Sequence, residues 1–265
     1  IGLAPTGIAA INAGGSTLHS FFKLPFHPLL PNDSMYSVRN IRNTLKYNSE
    51  KIKIIREVEL IIIDEISMVR ADIIDFIDKV LRVYCRNMRE PFGGKQLLLV
   101  GDIYQLEPVV REDDRKLLNP FYRSSFFFDA KIFQQFQLVS IELKKVYRQS
   151  DPVFIGILDN IRTSQARMQD LQLLNQRVGA QLDEGDSKLA ITLSTRRDTV
   201  DYINDSQLKL LPGEPCLFRG RIQGEFPESS LPTPIELYLK TGAQIIFIKN
   251  DIEHQWVNGA LGTII

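Results

Sequence analysis

Two short apolar runs in this 265-residue sequence end in acidic residues: Ile61-Ile62-Ile63 leads into Asp64-Glu65, and Leu98-Leu99-Val100 leads into Gly101-Asp102. An aspartate at the end of a buried strand can reach Mg²⁺ through its shell of waters, and an adjacent glutamate can polarise an attacking water. Phosphoryl transfer needs both, because a metal must offset the phosphate charge and the nucleophile must be oriented. Gln105 follows the second run, and its neutral amide could bond a terminal phosphate or the attacking water without adding charge. Taken singly, each pattern reads equally as a polar turn. The pair, joined by one helix, points to a nucleotide site.

Near the start, Ala4-Pro5-Thr6-Gly7-Ile8-Ala9-Ala10 is followed by Gly14-Gly15-Ser16-Thr17-Leu18-His19-Ser20-Phe21-Phe22. Small residues allow close backbone approach, and hydroxyls and amides can donate to phosphates. His19, Phe21 and Phe22 offer planes on which bases could stack. Core packing is the competing reading for both phenylalanines, and a structural role for His19. Leu143-Lys144-Lys145-Val146-Tyr147-Arg148-Gln149 supplies a guanidinium that could reach a transferring phosphate across a cleft, as arginine fingers do. In isolation Arg148 reads as a surface ion-pair partner.

The positioning elements follow from periodicity. The runs at 59–63 and 96–100 lack alternation, which suits parallel strands buried on both faces. Between them Ile73, Ile74, Ile77, Val80, Leu81, Tyr84, Cys85 and Met88 recur at helical spacing, with Asp75–Lys79 and Asp78–Arg82 as i,i+4 pairs on the other face. This is a βαβ unit, whose ligands bind at the carboxyl ends of the strands. Asp151-Pro152 reads as an N-cap and first turn of a further helix. A strand is expected over Leu189–Leu193, ending near Thr195, then a helix over about 198–210. The Gly- and Pro-rich stretch 211–234 reads as loop. Strands are expected over Ala243–Ile248 and Leu261–Ile265, with Asn258-Gly259 as a turn.

The formal net charge is zero, so bulk electrostatics announces no polyanionic partner. Locally, Arg39, Arg42, Lys46, Lys51, Lys53 and Arg56 face a lone acid, Glu50, between residues 35 and 56. That run reads either as a solvated surface or as a surface tracking a nucleic-acid backbone. Two cysteines and three histidines form no metal motif and fit a reducing compartment. No apolar run approaches the roughly 18–20 residues of a membrane span, and no signal peptide opens the chain. Both ends read as cuts through a longer protein.

Taken in order, these segments resemble the PIF-one-like DNA helicases of the RecD branch of superfamily one. Residues 4–10 with 16–21 are similar to the family's motif Ia, Asp64-Glu65-Ile66-Ser67-Met68 to motif II, Gly101-Asp102-Ile103-Tyr104-Gln105-Leu106 to motif III, and Tyr147-Arg148-Gln149 to motif IV. The resemblance implies an α/β architecture of two RecA-like P-loop NTPase domains with ATP between them and single-stranded DNA across their tops. The first would span 1–145, with a wedge-like insert at 24–57, and part of the second 146–235. The start of an SH3-like insertion would occupy 236–265.

The resemblance also implies roles. Asp64 would hold Mg²⁺ through water, Glu65 would activate water, Gln105 would sense the γ-phosphate and Arg148 would be the finger; Asp102 would belong to the nucleotide site. Thr6, Gly7, Thr17, His19 and Thr195 would contact DNA. ATP and Mg²⁺ would be the cofactors, the bacterial cytoplasm or nucleoid the location, and 5′-to-3′ translocation in repair, recombination or telomere maintenance the work. The departures are as informative. No G-x-x-G-x-G-K-[ST] phosphate loop occurs within the 265 residues, and the family's late motifs are missing. The chain alone is therefore expected to be inactive as an ATPase. The alternative reading is a non-catalytic module that binds single-stranded DNA or a partner.

Overall fold

The computed structural model describes residues 1–147, 149–181, 190–222, 233–248, 251, 255–256 and 260–265. It divides into two compact units, Ile1–Asn175 and Gln176–Ile265. The helix opened by Asp151 and Pro152 falls in the first of them.

The first unit is built on a parallel sheet of four strands in the order β2-β1-β3-β4. These are β1 (Gly2–Ala4), β2 (Ser16–Thr17), β3 (Leu60–Ile63) and β4 (Gln96–Leu99). Register is continuous across the centre, with Leu3 opposite both Ser16 and Ile63, and Ile63 opposite Leu99. Helix α1 (Gly7–Asn12) carries the chain from β1 to β2, and α2 (Leu18–Phe22) follows β2 directly. The crossover is tight: a Cβ on Gly15 would lie 1.8 Å from the carbonyl oxygen of Gly2, so no side chain fits there.

Helices α3 (Ile41–Leu45) and α4 (Ser49–Glu57) lead to β3, and α5 (Ala71–Cys85) joins β3 to β4. The expected βαβ unit is present. Ile74, Ile77, Val80 and Leu81 of α5 are fully buried, in one core with Leu3, Phe22, Ile41, Ile55, Ile61 and Ile63. Helices α6 (Glu112–Leu118), α7 (Pro152–Arg162) and α8 (Met168–Asn175) complete the unit. Asp151 caps α7 as expected, its carboxylate accepting from the amides of Val153 and Phe154. Among the described residues no helix is long and apolar enough to cross a membrane.

Burial of β3 and β4 on both faces was the expectation, and it holds on one. Ile61 and Ile63 are buried, but Leu98 is 48% exposed. The second face carries a small cluster of Ala4 with Ala9 and Ala10 of α1, which includes nothing from β4. The basic run is partly structural. Arg42 donates to the Val83 carbonyl (2.6 Å) and Arg56 to that of Tyr84 (3.0 Å), so both guanidiniums satisfy the carboxyl end of α5. The Asp78–Arg82 pair forms at 2.8 Å. Asp75 does not pair with Lys79; it accepts from Tyr122 Oη and from the amides of Lys131 and Ile132, donors that burial would otherwise leave unmet.

In the second unit, α9 (Arg197–Leu210) forms where expected. Two antiparallel pairs follow, β5 (Cys216–Arg219) with β6 (Glu236–Leu239), and β7 (Gln244–Ile246) with β8 (Leu261–Thr263). Two expectations are corrected. Residues 190–193 form no strand, and Ile191 and Leu193 are 63% and 87% exposed, because no described strand pairs with them. The stretch 211–234 is not all loop, since Cys216–Arg219 finds a distant partner in β6. Leu189 and the Asn258-Gly259 turn lie outside the described residues.

Candidate active site

Every strand of the parallel sheet ends at one edge, and each end carries candidate residues. Thr6 and Gly7 follow β1, Thr17 and His19 lie at the end of β2, Asp64 and Glu65 follow β3, and Asp102 and Gln105 follow β4. Thr6, Asp64, Glu65 and Gln105 line one cavity of about 210 Å³ with Ala9, Met68 and Leu106. Four candidates from three separate segments thus meet in one place. The cavity is smaller than the roughly 300–1,000 Å³ of small-molecule sites.

The turn that presents Glu65 is forced by the strands on either side. The Asp64 amide donates to the Leu3 carbonyl of β1 (2.8 Å), and the Ile66 amide to the Val100 carbonyl beyond β4 (3.0 Å). Two neighbours therefore pull on consecutive segments of the chain, and the residue between them must turn. Glu65 does so in the left-handed conformation, φ 51° and ψ 43°, which is uncommon for a residue with a side chain. Asp64 Oδ1 accepts the Glu65 amide at 2.9 Å, which holds the two acids in fixed relation. Gly101 makes the junction possible: a Cβ there would come within 2.9 Å of the Ile66 nitrogen.

Asp102 is absent from the cavity lining and instead braces the turn that carries Gln105. Its carboxylate accepts from the Tyr104 amide (3.0 Å), from Gln105 Nε2 (3.4 Å) and from Arg162 of α7 (3.3 Å). Partial burial alone would raise the pKa of Asp102, but these donors outweigh it and hold the carboxyl below the ordinary aspartate value. Arg162 also lies 5.5 Å over the Tyr104 ring. It was missed in the sequence, where a basic residue ending a helix gives no sign of a partner sixty positions earlier. Met68 and Leu106 were visible only as members of their motifs.

Thr6 at the cavity and Thr17 outside it both hold helix starts, and the other described candidates lie outside the cavity lining. Thr6 Oγ1 accepts from the Ala9 amide (3.3 Å) and Thr17 Oγ1 from the Ser20 amide (3.2 Å), so each hydroxyl caps a helix. Gly7 opens α1 and is exposed. Phe21 and Phe22 are core residues, 4% and 0% exposed. His19 is half-buried and stacks on Phe26. Thr195 is exposed in the second unit, and Arg148 lies outside the described residues.

Comparison with known proteins places this geometry. The pattern of the PIF1-like helicase family matches residues 1–170. The chain is 31% identical over 271 residues to the ATP-dependent DNA helicase PIF1 of Saccharomyces cerevisiae, covering 99% of this chain and 30% of that protein. It is 32% identical over 277 residues to the protein of the same name from Danio rerio, covering 99% and 39%. The crystal structure of Bacteroides Pif1 bound to ssDNA superposes with a TM-score of 0.83 at 40% identity, over 99% of this chain and 59% of that one. Pif1 helicase from Candida albicans gives 0.80 at 32%, over 98% and 57%. The chain thus spans about a third of the length of these curated relatives. With a family pattern that runs through all four strand ends and relatives that match nearly the whole of this chain, the chain belongs to the PIF1-like helicase family.

Proposed function

We propose that these residues form part of an ATP-dependent DNA helicase that moves 5′ to 3′ along single-stranded DNA. The observation that carries this reading is the meeting of Thr6, Asp64, Glu65 and Gln105 around one cavity at the carboxyl edge of the sheet. Glu65 takes a proton from the water that attacks the terminal phosphate, and its fixed turn orients that water. Gln105 donates its amide to the same phosphate, with Asp102 bracing the turn beneath it. Arg148 completes the charge stabilisation.

No group of three or more ligating side chains occurs among the described residues. Asp64, at the cavity edge, would share a Mg²⁺ ion with waters and phosphates, the usual arrangement for that cation. When bound, the ion offsets the phosphate charge. The capping hydroxyls of Thr6 and Thr17 accept from their helices and keep their own protons to donate. Those protons, with Gly7, His19 and Thr195, serve the DNA backbone.

The test is Glu65→Gln in the full-length protein, read by nucleotide titration and by phosphate release. Affinity for ATP should hold while turnover falls about 10²–10⁴-fold, the usual contribution of a positioned general base. Turnover near wild type would remove Glu65 from the role. In the same assay these 265 residues alone, which contain no phosphate loop, should release no phosphate; robust DNA-stimulated release would overturn that part of the reading.

A further inference from the structure

Phe26 is 89% exposed, an unusual position for a phenylalanine in a chain that buries Phe21, Phe22, Phe76 and Phe92 almost completely. It is not a loose side chain on a loose loop. Its ring lies nearly parallel to that of His19, 14° between planes and 5.3 Å between centroids. The loop that carries it is anchored at both ends. Leu24 is buried and its amide donates to the His19 carbonyl at 3.0 Å. Leu29 is buried and its amide donates to Asp72 Oδ2 at 2.9 Å.

Asp72 is itself 1% exposed, and Arg70 grips its two oxygens at 2.9 and 2.7 Å. A buried ion pair is an expensive way to hold a loop, because both charges give up water. Here it fixes the backbone three residues from an aromatic ring that packs against no core. Burial and the Arg70 charge lower the pKa of the His19 imidazole, with Asp72 opposing. The His19 ring lies near-parallel beside Phe26, and most of the Phe26 ring stays open to solvent. The platform follows the carboxyl end of β2, on the sheet edge that also carries the cavity.

We propose that Phe26, backed by His19, is a base-stacking platform for single-stranded DNA, taking one nucleobase on its open face. This rests on the single-strand reading above and adds to it a contact to the base rather than to the phosphate. Stacking is tolerant of sequence, since every base presents a π face. It adds no counterion release, which only contacts to phosphate produce.

The test uses the full-length protein and fluorescence anisotropy with a labelled oligothymidine and an abasic strand of equal length. Phe26→Ala and Phe26→Leu should each weaken binding to oligothymidine about 5- to 100-fold, the range for loss of one stacked base. Phe26→Trp should retain it. The slope of log affinity against log salt should be unchanged in all three, and the abasic strand should bind wild type and Phe26→Ala alike. Circular dichroism should not move, because the side chain contributes nothing to the core. Wild-type affinity in Phe26→Leu, or an equal loss on the abasic strand, would overturn the platform while leaving single-strand binding intact. Absence of any oligothymidine binding by wild type would instead overturn the single-strand reading and the platform with it.

Discussion

Glu65 offers a test of sign rather than size. Its backbone sits at φ 51° and ψ 43° because Asp64 is tied to β1 and Ile66 to the end of β4. A residue with a Cβ gives up about 1–2 kcal/mol in that conformation, and glycine gives up nothing. Against this, glycine loses about 0.4–1 kcal/mol relative to alanine through the greater freedom of its unfolded chain. Taking central values, about 1.5 less about 0.7, Glu65→Gly should be about 0.8 kcal/mol more stable than Glu65→Ala. Both variants lack the carboxylate, so any contact it makes cancels. At a urea slope of about 2 kcal/mol/M, the glycine midpoint should lie about 0.4 M higher, measured by circular dichroism on this chain. In an ordinary helix or strand the order is reversed, with glycine about 0.5–1 kcal/mol below alanine. A lower midpoint for the glycine variant would therefore refute the left-handed turn and the two-strand pull that explains it. The expected result would make this a place where strain is kept at a functional position.

Gly101→Ala should destabilise the chain by about 1–3 kcal/mol, the cost of forcing an extra methyl into a packed junction, because its Cβ meets the Ile66 nitrogen at 2.9 Å; urea midpoints check this, and a neutral result would mean that the junction yields. Asp102 supplies a dependence on pH. Its folded pKa is depressed, so its contribution is complete above the ordinary aspartate value of 3.8 and is lost as pH falls through the depressed folded value. Thermal melts of wild type and Asp102→Asn should therefore differ by a constant amount at higher pH and converge as the pH drops below about 3.8; a gap that widened in acid would reverse the assignment.

Much of the first unit was legible because its signals are local. The apolar runs of β3 and β4, the spacing along α5 and the Asp151-Pro152 start of α7 depend on nearest neighbours and backbone geometry. What could not be read depends on partners far along the chain. Ala190–Leu193 has a strand's composition but no described strand beside it, whereas Cys216–Arg219, in a stretch that reads as loop, pairs with β6. Asp75 stands four residues from Lys79, yet two backbone amides and a tyrosine more than forty positions away claim it. Arg42 and Arg56 read as surface charge until α5 ends beside them with unmet carbonyls.

The candidate site was legible as a set of residues but not as an arrangement, and strand order is the reason. In sequence, Thr6, Thr17 and His19 belong to one motif of the chain's first twenty residues. In the sheet, β1 lies between β2 and β3. Thr6, at the end of β1, is therefore one strand from Asp64, while Thr17 and His19, at the end of β2, are two. Strands sit about 4.8 Å apart, so the second step puts His19 beyond the reach of the cavity that Thr6 lines. The candidates of this one motif thus fall at two places along the edge, Thr6 at the cavity beside Asp64 and Glu65, and Thr17 and His19 at the end of β2. Phe26 falls on the β2 side of that division.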